Sequence, residues 1–380
     1  MEKQKIYFPN LNGLRFIAAF LVIVHHTEQI KAMYSLESYW KVVPFVTLVG
    51  KLGVVLFFVL SGFLITYLLL SEEHSFRNVN IKSFYIRRIL RIWPLYFLIL
   101  GLSLFVLPYI PFFLFPDYTP EIIHENLAGS LFLYSVFSPN LSVALFGSIP
   151  YASHLWSIGT EEQFYLVWPV IIRYIRKFRI WVMLLIIACY WMVKRKLDFY
   201  QDSDPSDFHL AISTFWNLFN INCMAIGALF AILLYKKSPI LALIQNRILF
   251  YAALILTSYL LFEGVKFSSF HYEIYSVLFG IIILNFASNP SIGITLENPV
   301  FNYLGNISYG LYMYHPIGIV LALKLLMISG FITNWILYPL ALGFTVLFAG
   351  VSYKWYESYF LKFKPRFSKI ISGADTKKVE

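Results

Sequence analysis

Leu11 to His26 reads LNGLRFIAAFLVIVHH, and the chain is best understood outward from this stretch. Every residue from Phe16 to Val24 is apolar, yet Arg15 stands before the run and His25 and His26 close it. On a helix of about 100° per residue, Arg15 and His26 lie roughly 20° from a common line and about 16 Å apart. His25 points to a different neighbour. An arginine at the centre of a membrane helix costs roughly 2.5 to 3.5 kcal/mol on insertion scales, so such groups usually face a protein interior or a watery cavity. The stretch therefore reads as a membrane helix lining a polar site. Alone, it is equally a simple span whose arginine snorkels to one interface while its histidines sit at the other.

The whole chain fits an integral membrane protein. Of its 380 residues 59% are hydrophobic and 13% charged, with a mean hydropathy of +0.69, outside the ordinary range of soluble domains. The formal net charge of +10 sits in clusters between apolar segments. Such clusters orient helices and meet anionic lipid, so no nucleic-acid partner is needed. Cys189 and Cys223 each fall inside an apolar run and give neither a disulfide framework nor a zinc site. The first hydrophobic run lacks a small-residue cleavage site and is expected to stay as an uncleaved helix.

Hydropathy and loop charge predict an all-α polytopic protein of about ten transmembrane helices with both termini cytoplasmic. The expected spans are 11–27, 51–70, 92–115, 155–172, 180–193, 214–235, 248–262, 272–287, 307–328 and 334–355. Residues 118–151 hold an apolar segment too short to cross and are expected to be re-entrant or surface-lying. Residues 1–360 then form one membrane domain, and 361–380 a loose basic cytoplasmic tail.

Four further stretches put polar groups inside this framework. In FYIRRILRIWPLY (84–96), Arg88 and Arg91 are neighbours on one helix face. Guanidinium forks at a cytoplasmic helix end suit a polyphosphate, although an ordinary positive-inside cluster looks the same. In HLWSIGTEEQFYLVWP (154–169), Thr160 and Gln163 can form a capping box and Glu161 shares a face with Tyr165. Those two could orient a histidine or bind a hydroxylated substrate; a solvated helix start with acids at its positive end is the plainer alternative. In FFVLSGFLIT (57–66), Ser61 and Gly62 permit close helix packing or a break beside a pathway, and packing is the expectation. In NISYGLYMYHP (306–316), Tyr312 and His315 share a face, and a packing histidine is as good a reading as a functional one. No HExxH, Walker loop, GxSxG elbow or GxGxxG pattern occurs, and no metal site is expected.

With these five stretches in this order, the chain resembles the acyltransferase-3 family of membrane O-acyltransferases. The resemblance runs from Asn10 to about Tyr359. It implies an acyl group, often acetyl, carried from cytoplasmic acyl-CoA to a hydroxyl of an envelope glycan or related acceptor at the outer face of the plasma membrane. Arg15 and His26 match the family's first-helix pair, with the histidine as catalytic centre, and Arg88 and Arg91 match the pair assigned to CoA. Trp156, Ser157, Glu161, Phe164 and Tyr165 match the fourth-helix signature, and Ser308, Tyr309, Tyr312 and His315 the ninth. Asn12 and Val55 depart from it, standing where many members carry an aspartate and another polar residue. Some members append a soluble esterase-like domain, whereas this chain ends in a short tail.

The expected chemistry has His26 as general base, with a covalent acyl-histidine relay as the alternative, Glu161 orienting the imidazole or the acceptor, Arg88 and Arg91 holding CoA, and Arg15 lining the way between. Trp156, Ser157, Tyr165, Tyr309, Tyr312 and His315 are the substrate-binding candidates. The donor is a substrate, and no permanently bound cofactor is expected. A transporter of lipid-linked sugars is the rival reading, but the internal repeats with matched broken helices common in such folds are not evident. Acceptor identity, acyl length and oligomeric state are not encoded legibly.

Overall fold

The computed structural model describes residues 4–203 and 206–372. The opening stretch is one helix, α1 (Leu11–Met33), longer than its apolar run because Thr27 to Met33 continue the turn. Asn10 precedes it in the left-handed region at φ 65°, which asparagine tolerates better than most residues. Its side chain donates to Phe286 O (3.0 Å) and accepts from Leu296 N (2.7 Å), while Glu297 takes Asn10 N and the Tyr7 hydroxyl, each at 2.6 Å. Burial and the Glu297 carboxylate push the Tyr7 phenol above its ordinary pKa. These bonds set where α1 enters the bundle.

Behind α1 stand α2 (Pro44–Phe76) and α3 (Ile81–Phe105). Helix α3 begins eleven residues before the expected span, because Arg87, Arg88 and Arg91 depress hydropathy without interrupting the helix. It ends ten residues early, where Pro108 and Pro111 allow only two short 3₁₀ turns. Three short helices follow, α4 (Pro120–His124), α5 (Leu127–Ser135) and α6 (Pro139–Phe146). At 1.5 Å per residue none can cross a bilayer.

Helix α7 (Leu155–Tyr174) corrects the capping reading. Thr160 and Gln163 lie past the first turn and turn outward to neighbours: Thr160 Oγ1 donates to Leu218 O (3.0 Å) and Gln163 Nε2 to Phe137 O (2.9 Å). Glu161 and Glu162 are likewise too deep in the helix for its N-terminal dipole to explain them. After α8 (Arg179–Ser203) the expected sixth span is two helices, α9 (Asp207–Leu218) and α10 (Ile221–Tyr235). The break is satisfied by side chains. Tyr190 OH donates to Trp216 O (3.1 Å), Lys51 Nζ to Asn217 O (2.5 Å) and Asn220 Nδ2 to the same carbonyl (2.9 Å).

The remainder is α11 (Leu241–Ile244), α12 (Arg247–Phe262), α13 (His271–Ser288), α14 (Pro299–Asn306), α15 (Ser308–Ser329), α16 (Asn334–Ser352) and α17 (Ser358–Leu361), with a π-helical turn over Tyr353–Glu357. Among the described residues six helical runs are long and apolar enough to cross a membrane. Helices α1, α7 and α8 are as long, at 23, 20 and 25 residues, but carry charged or histidine side chains within them. The protein is thus a multi-pass helical membrane protein.

Packing centres on α2, which lies against α1, α10 and α13. The α2–α10 crossing is closest at Gly62 and Gly227, where a Cβ would overlap the carbonyl oxygen of Met224 or Val59 respectively. That is the packing role the sequence suggests for Gly62, and α2 runs through it unbroken. The expected loose tail is, as far as Ser372, packed in place: β2 (Ile370–Ser372) pairs in parallel with β1 (Gln4–Ile6). Residues 373–380 lie outside the described residues.

Candidate active site

A cavity of about 230 Å³ opens between the two chain ends and rises among α1, α2, α3, α7 and α15. Among the described residues its walls carry Arg15, Arg87, Arg88, Arg91 and Lys364, and one acid, Glu161. Arg87 is already engaged, donating to Phe367 O (2.7 Å) and pairing with Glu72 Oε2 (3.2 Å). Arg88 and Arg91 form no salt bridge among the described residues, and Arg88 Nε is buried without a hydrogen-bond partner. The Arg88 guanidinium lies 5.4 Å from the Tyr165 ring and that of Arg91 6.0 Å from Tyr309. Arg15 Nη1 reaches the neutral oxygen Asn12 Oδ1 at 3.4 Å.

Halfway up, Glu161 Oε1 accepts from Ser61 Oγ (2.9 Å) and Oε2 from Tyr165 OH (3.0 Å). The one-turn spacing on α7 brings the second pair together; Ser61 comes from α2. At the top, Ser157 Oγ and Tyr312 OH are 2.7 Å apart, and Tyr312 OH also donates to His154 O (3.0 Å). This pair closes the cavity.

Above that closure sits a cluster of histidines. The His26 and His315 ring centroids are 4.8 Å apart, and His315 and His154 5.0 Å. His315 is fully buried. A carbonyl oxygen can only accept, so the contacts His26 Nδ1 to Val22 O (3.0 Å) and His315 Nδ1 to Tyr312 O (2.6 Å) put a proton on each Nδ1. His315 Nε2 then holds a lone pair and, 3.2 Å from His26 Nδ1, shares that proton. In the neutral ring, His26 is left with Nε2 as a free base. His25 turns to α2, with Nδ1 bonded to Val46 O at 2.7 Å. Among the described residues no three side chains converge as a metal site.

Of the residues singled out in the sequence, Arg15, Arg88, Arg91, Ser157, Glu161, Tyr165, Tyr309 and Tyr312 line the cavity. His26, Trp156 and His315 do not. Val54, Ser157 and Tyr312 line the cavity, and the Tyr312 ring lies 5.7 Å from that of His315, which joins the cavity wall to the histidine cluster. The group beside His26 is His315, while Glu161 belongs to the cavity wall. Trp156 instead stacks edge-on with Phe58 (6.1 Å) beneath the Lys51 ammonium (4.7 Å). Sequence reasoning missed His154, Lys51 and Lys364; only the position of His154 beside the LWS stretch hinted at a role.

No solved structure matches the chain. A Staphylococcus aureus protein with the provisional name of O-acetyltransferase is 27% identical over 95% of this chain and 58% of its own length. The peptidoglycan O-acetyltransferase of Listeria monocytogenes is 26% identical over 81% of this chain and 49% of its own length. A Bacillus subtilis protein, provisionally named a peptidoglycan O-acetyltransferase, is 28% identical over 83% and 49%. The chain therefore spans about half the length of the curated relatives it matches. A family model described as an acyltransferase domain matches residues 8–354, and the chain belongs to that family, acyltransferase-3.

Proposed function

We propose that the protein is a membrane O-acyltransferase that moves an acyl group, acetyl in the first instance, from cytoplasmic acyl-CoA to a hydroxyl of an envelope glycan or related acceptor on the outer side. In this reading the chain crosses the plasma membrane ten times with both termini in the cytoplasm. The observation that carries it is the cationic cavity, which runs from a mouth between the chain ends to the Ser157–Tyr312 closure beneath His26. Arginine binds phosphate oxygens in bidentate fashion and stays charged, so Arg88 and Arg91 hold the nucleotide while the narrower pantetheine points upward past Arg15. Tyr312 and Ser157 must part for the thioester to meet the imidazole.

At His26 the acceptor hydroxyl gives its proton to Nε2 as its oxygen attacks the thioester carbonyl. The C–O bond forms, the C–S bond breaks, and the proton passes from the imidazolium to the departing sulfur, giving CoA thiol and the ester. His315 Nε2 supports the imidazolium through the Nδ1 proton the two rings share. The transporter reading finds one broken helix, α9–α10, but its free carbonyls are taken by Tyr190, Lys51 and Thr160.

The test is mass spectrometry of envelope glycans from cells with and without the gene, complemented by His26→Ala or His25→Ala. Loss of base catalysis costs about 10²-fold or more, so His26→Ala should abolish ester formation at unchanged protein level in the membrane, and His25→Ala should leave most of it. Ester levels independent of His26 would refute the assignment.

A further inference from the structure

Ser157 and Tyr312 bring two hydroxyl hydrogens to one carbonyl. Ser157 Oγ lies 3.2 Å from His154 O at the start of α7, and Tyr312 OH reaches the same oxygen at 3.0 Å. The two hydroxyls are 2.7 Å apart, and either can donate to the other. A hydroxyl carries one hydrogen and two lone pairs. When Ser157 donates to His154 O, the Tyr312 hydrogen is held only by Ser157 Oγ. It can then turn to another acceptor without stranding a buried carbonyl, which would be costly.

The phenol is set between the cavity and the histidine cluster. Tyr312 is buried yet lines the cavity, as Ser157 does, and its ring lies edge-on to Phe57 (5.9 Å) and to His154 (5.3 Å). Three residues on along α15, His315 bonds the Tyr312 carbonyl through Nδ1 and meets His26 through Nε2. One turn of helix thus carries both the hydroxyl and the imidazole that backs the base. We propose that Tyr312 is a catalytic residue whose hydroxyl leaves Ser157 for the thioester carbonyl oxygen and stabilises the negative charge that forms there. The inference rests on the acyl-CoA reading of the site and deepens it, since a plain barrier needs no spare hydrogen. As the acceptor oxygen bonds to the carbonyl carbon, the π pair moves onto the carbonyl oxygen, which accepts from Tyr312 O–H. The pair returns as the C–S bond breaks. Tyr312 keeps its hydrogen throughout, and sulfur takes its proton from His26. Ser157 is a positioning residue, holding His154 O meanwhile. A hydrogen-bond donor fixed in a site shielded from water is worth far more than one in solution.

Isolated cell envelopes retain the native acceptor, so ester formation from labelled acetyl-CoA can be followed in envelopes of cells whose only copy of the gene encodes each variant. Removing one such hydrogen-bond donor costs about 10²- to 10³-fold in kcat. Tyr312→Phe should lower kcat by that factor with KM for acetyl-CoA nearly unchanged. The purified variant in lipid nanodiscs should bind labelled acetyl-CoA as the wild type does, which also shows that it is folded. Ser157→Ala should lower kcat less, because it draws the Tyr312 hydrogen back to His154 O but leaves the phenol in place. Unchanged or faster turnover in Tyr312→Phe would make the pair a barrier only and overturn the catalytic role. So would a loss of turnover matched by an equal loss of acetyl-CoA binding. Wild-type envelopes that form no ester from acetyl-CoA would overturn the acyl-CoA reading itself, and this role with it.

Discussion

In the proposed mechanism His26 and the arginines below it divide the work by what their neighbours leave free. His26 has its Nδ1 proton committed to Val22 O and His315, so only Nε2 can act. Arg87 is spent on Glu72 and Phe367 O, whereas Arg88 forms no salt bridge among the described residues and Arg91 gives only a long bond, Nη2 to Asn306 O (3.5 Å). Replacing both by Gln should raise the KM for acetyl-CoA by about 10- to 100-fold, from two lost charge-assisted contacts, with kcat changed far less; steady-state kinetics across donor concentration would measure it, and an unchanged KM would move the donor elsewhere. Most of these residues could be read in advance because each sits on a helix at a spacing of three, four or eleven. Glu161 with Tyr165 and Arg88 with Arg91 are such pairs. His154 and Lys364 could not: one lies at a helix boundary and the other lines the same cavity as Arg88 from more than half the chain away, and local periodicity carries no record of either placement.

Among the elements, helix existence followed from hydropathy and helix ends did not. Arginines made α3 look shorter at its start than it is, and prolines after Phe105 ended it early. The break between α9 and α10 was hidden because both flanks are apolar; what stabilises it comes from Lys51, Thr160 and Tyr190 on three other helices. Gly62 was legible as a packing residue, yet its partner Gly227 was not. The two make the α2–α10 contact backbone to backbone, with no flexible side chain to yield. Gly62→Val should separate the helices and cost about 1–3 kcal/mol, seen as a lower Tm in detergent. Gly343→Ala, at a glycine with open space around its Cβ, should leave Tm near the wild-type value. A Tm unaffected by Gly62→Val would mean the crossing is looser than it looks.

At the scale of the whole molecule, the arrangement is directional. The mouth lies between the chain ends, beside β1 and β2, and the histidine cluster lies toward the opposite end of α1. In the proposed reading the donor is polyanionic and cannot cross the bilayer, so it enters from the side on which β1 and β2 lie. In proteoliposomes of mixed orientation, labelled acetyl-CoA added outside should be consumed only by molecules whose tail is open to external protease. The fraction of activity reached from outside should match the fraction of tails cleaved. In the proposed reading Arg88 and Arg91 hold the donor through charge, so salt should weaken the encounter: the Debye length shortens from about 10 Å at 0.1 M to about 3 Å at 1 M. KM for acetyl-CoA should rise over that range while KM for acetyl-pantetheine stays nearly level. Activity reached equally from both sides, or a KM indifferent to salt for both donors, would mean that the thioester does not enter by the cationic mouth, and the route to His26 would have to be sought on another face.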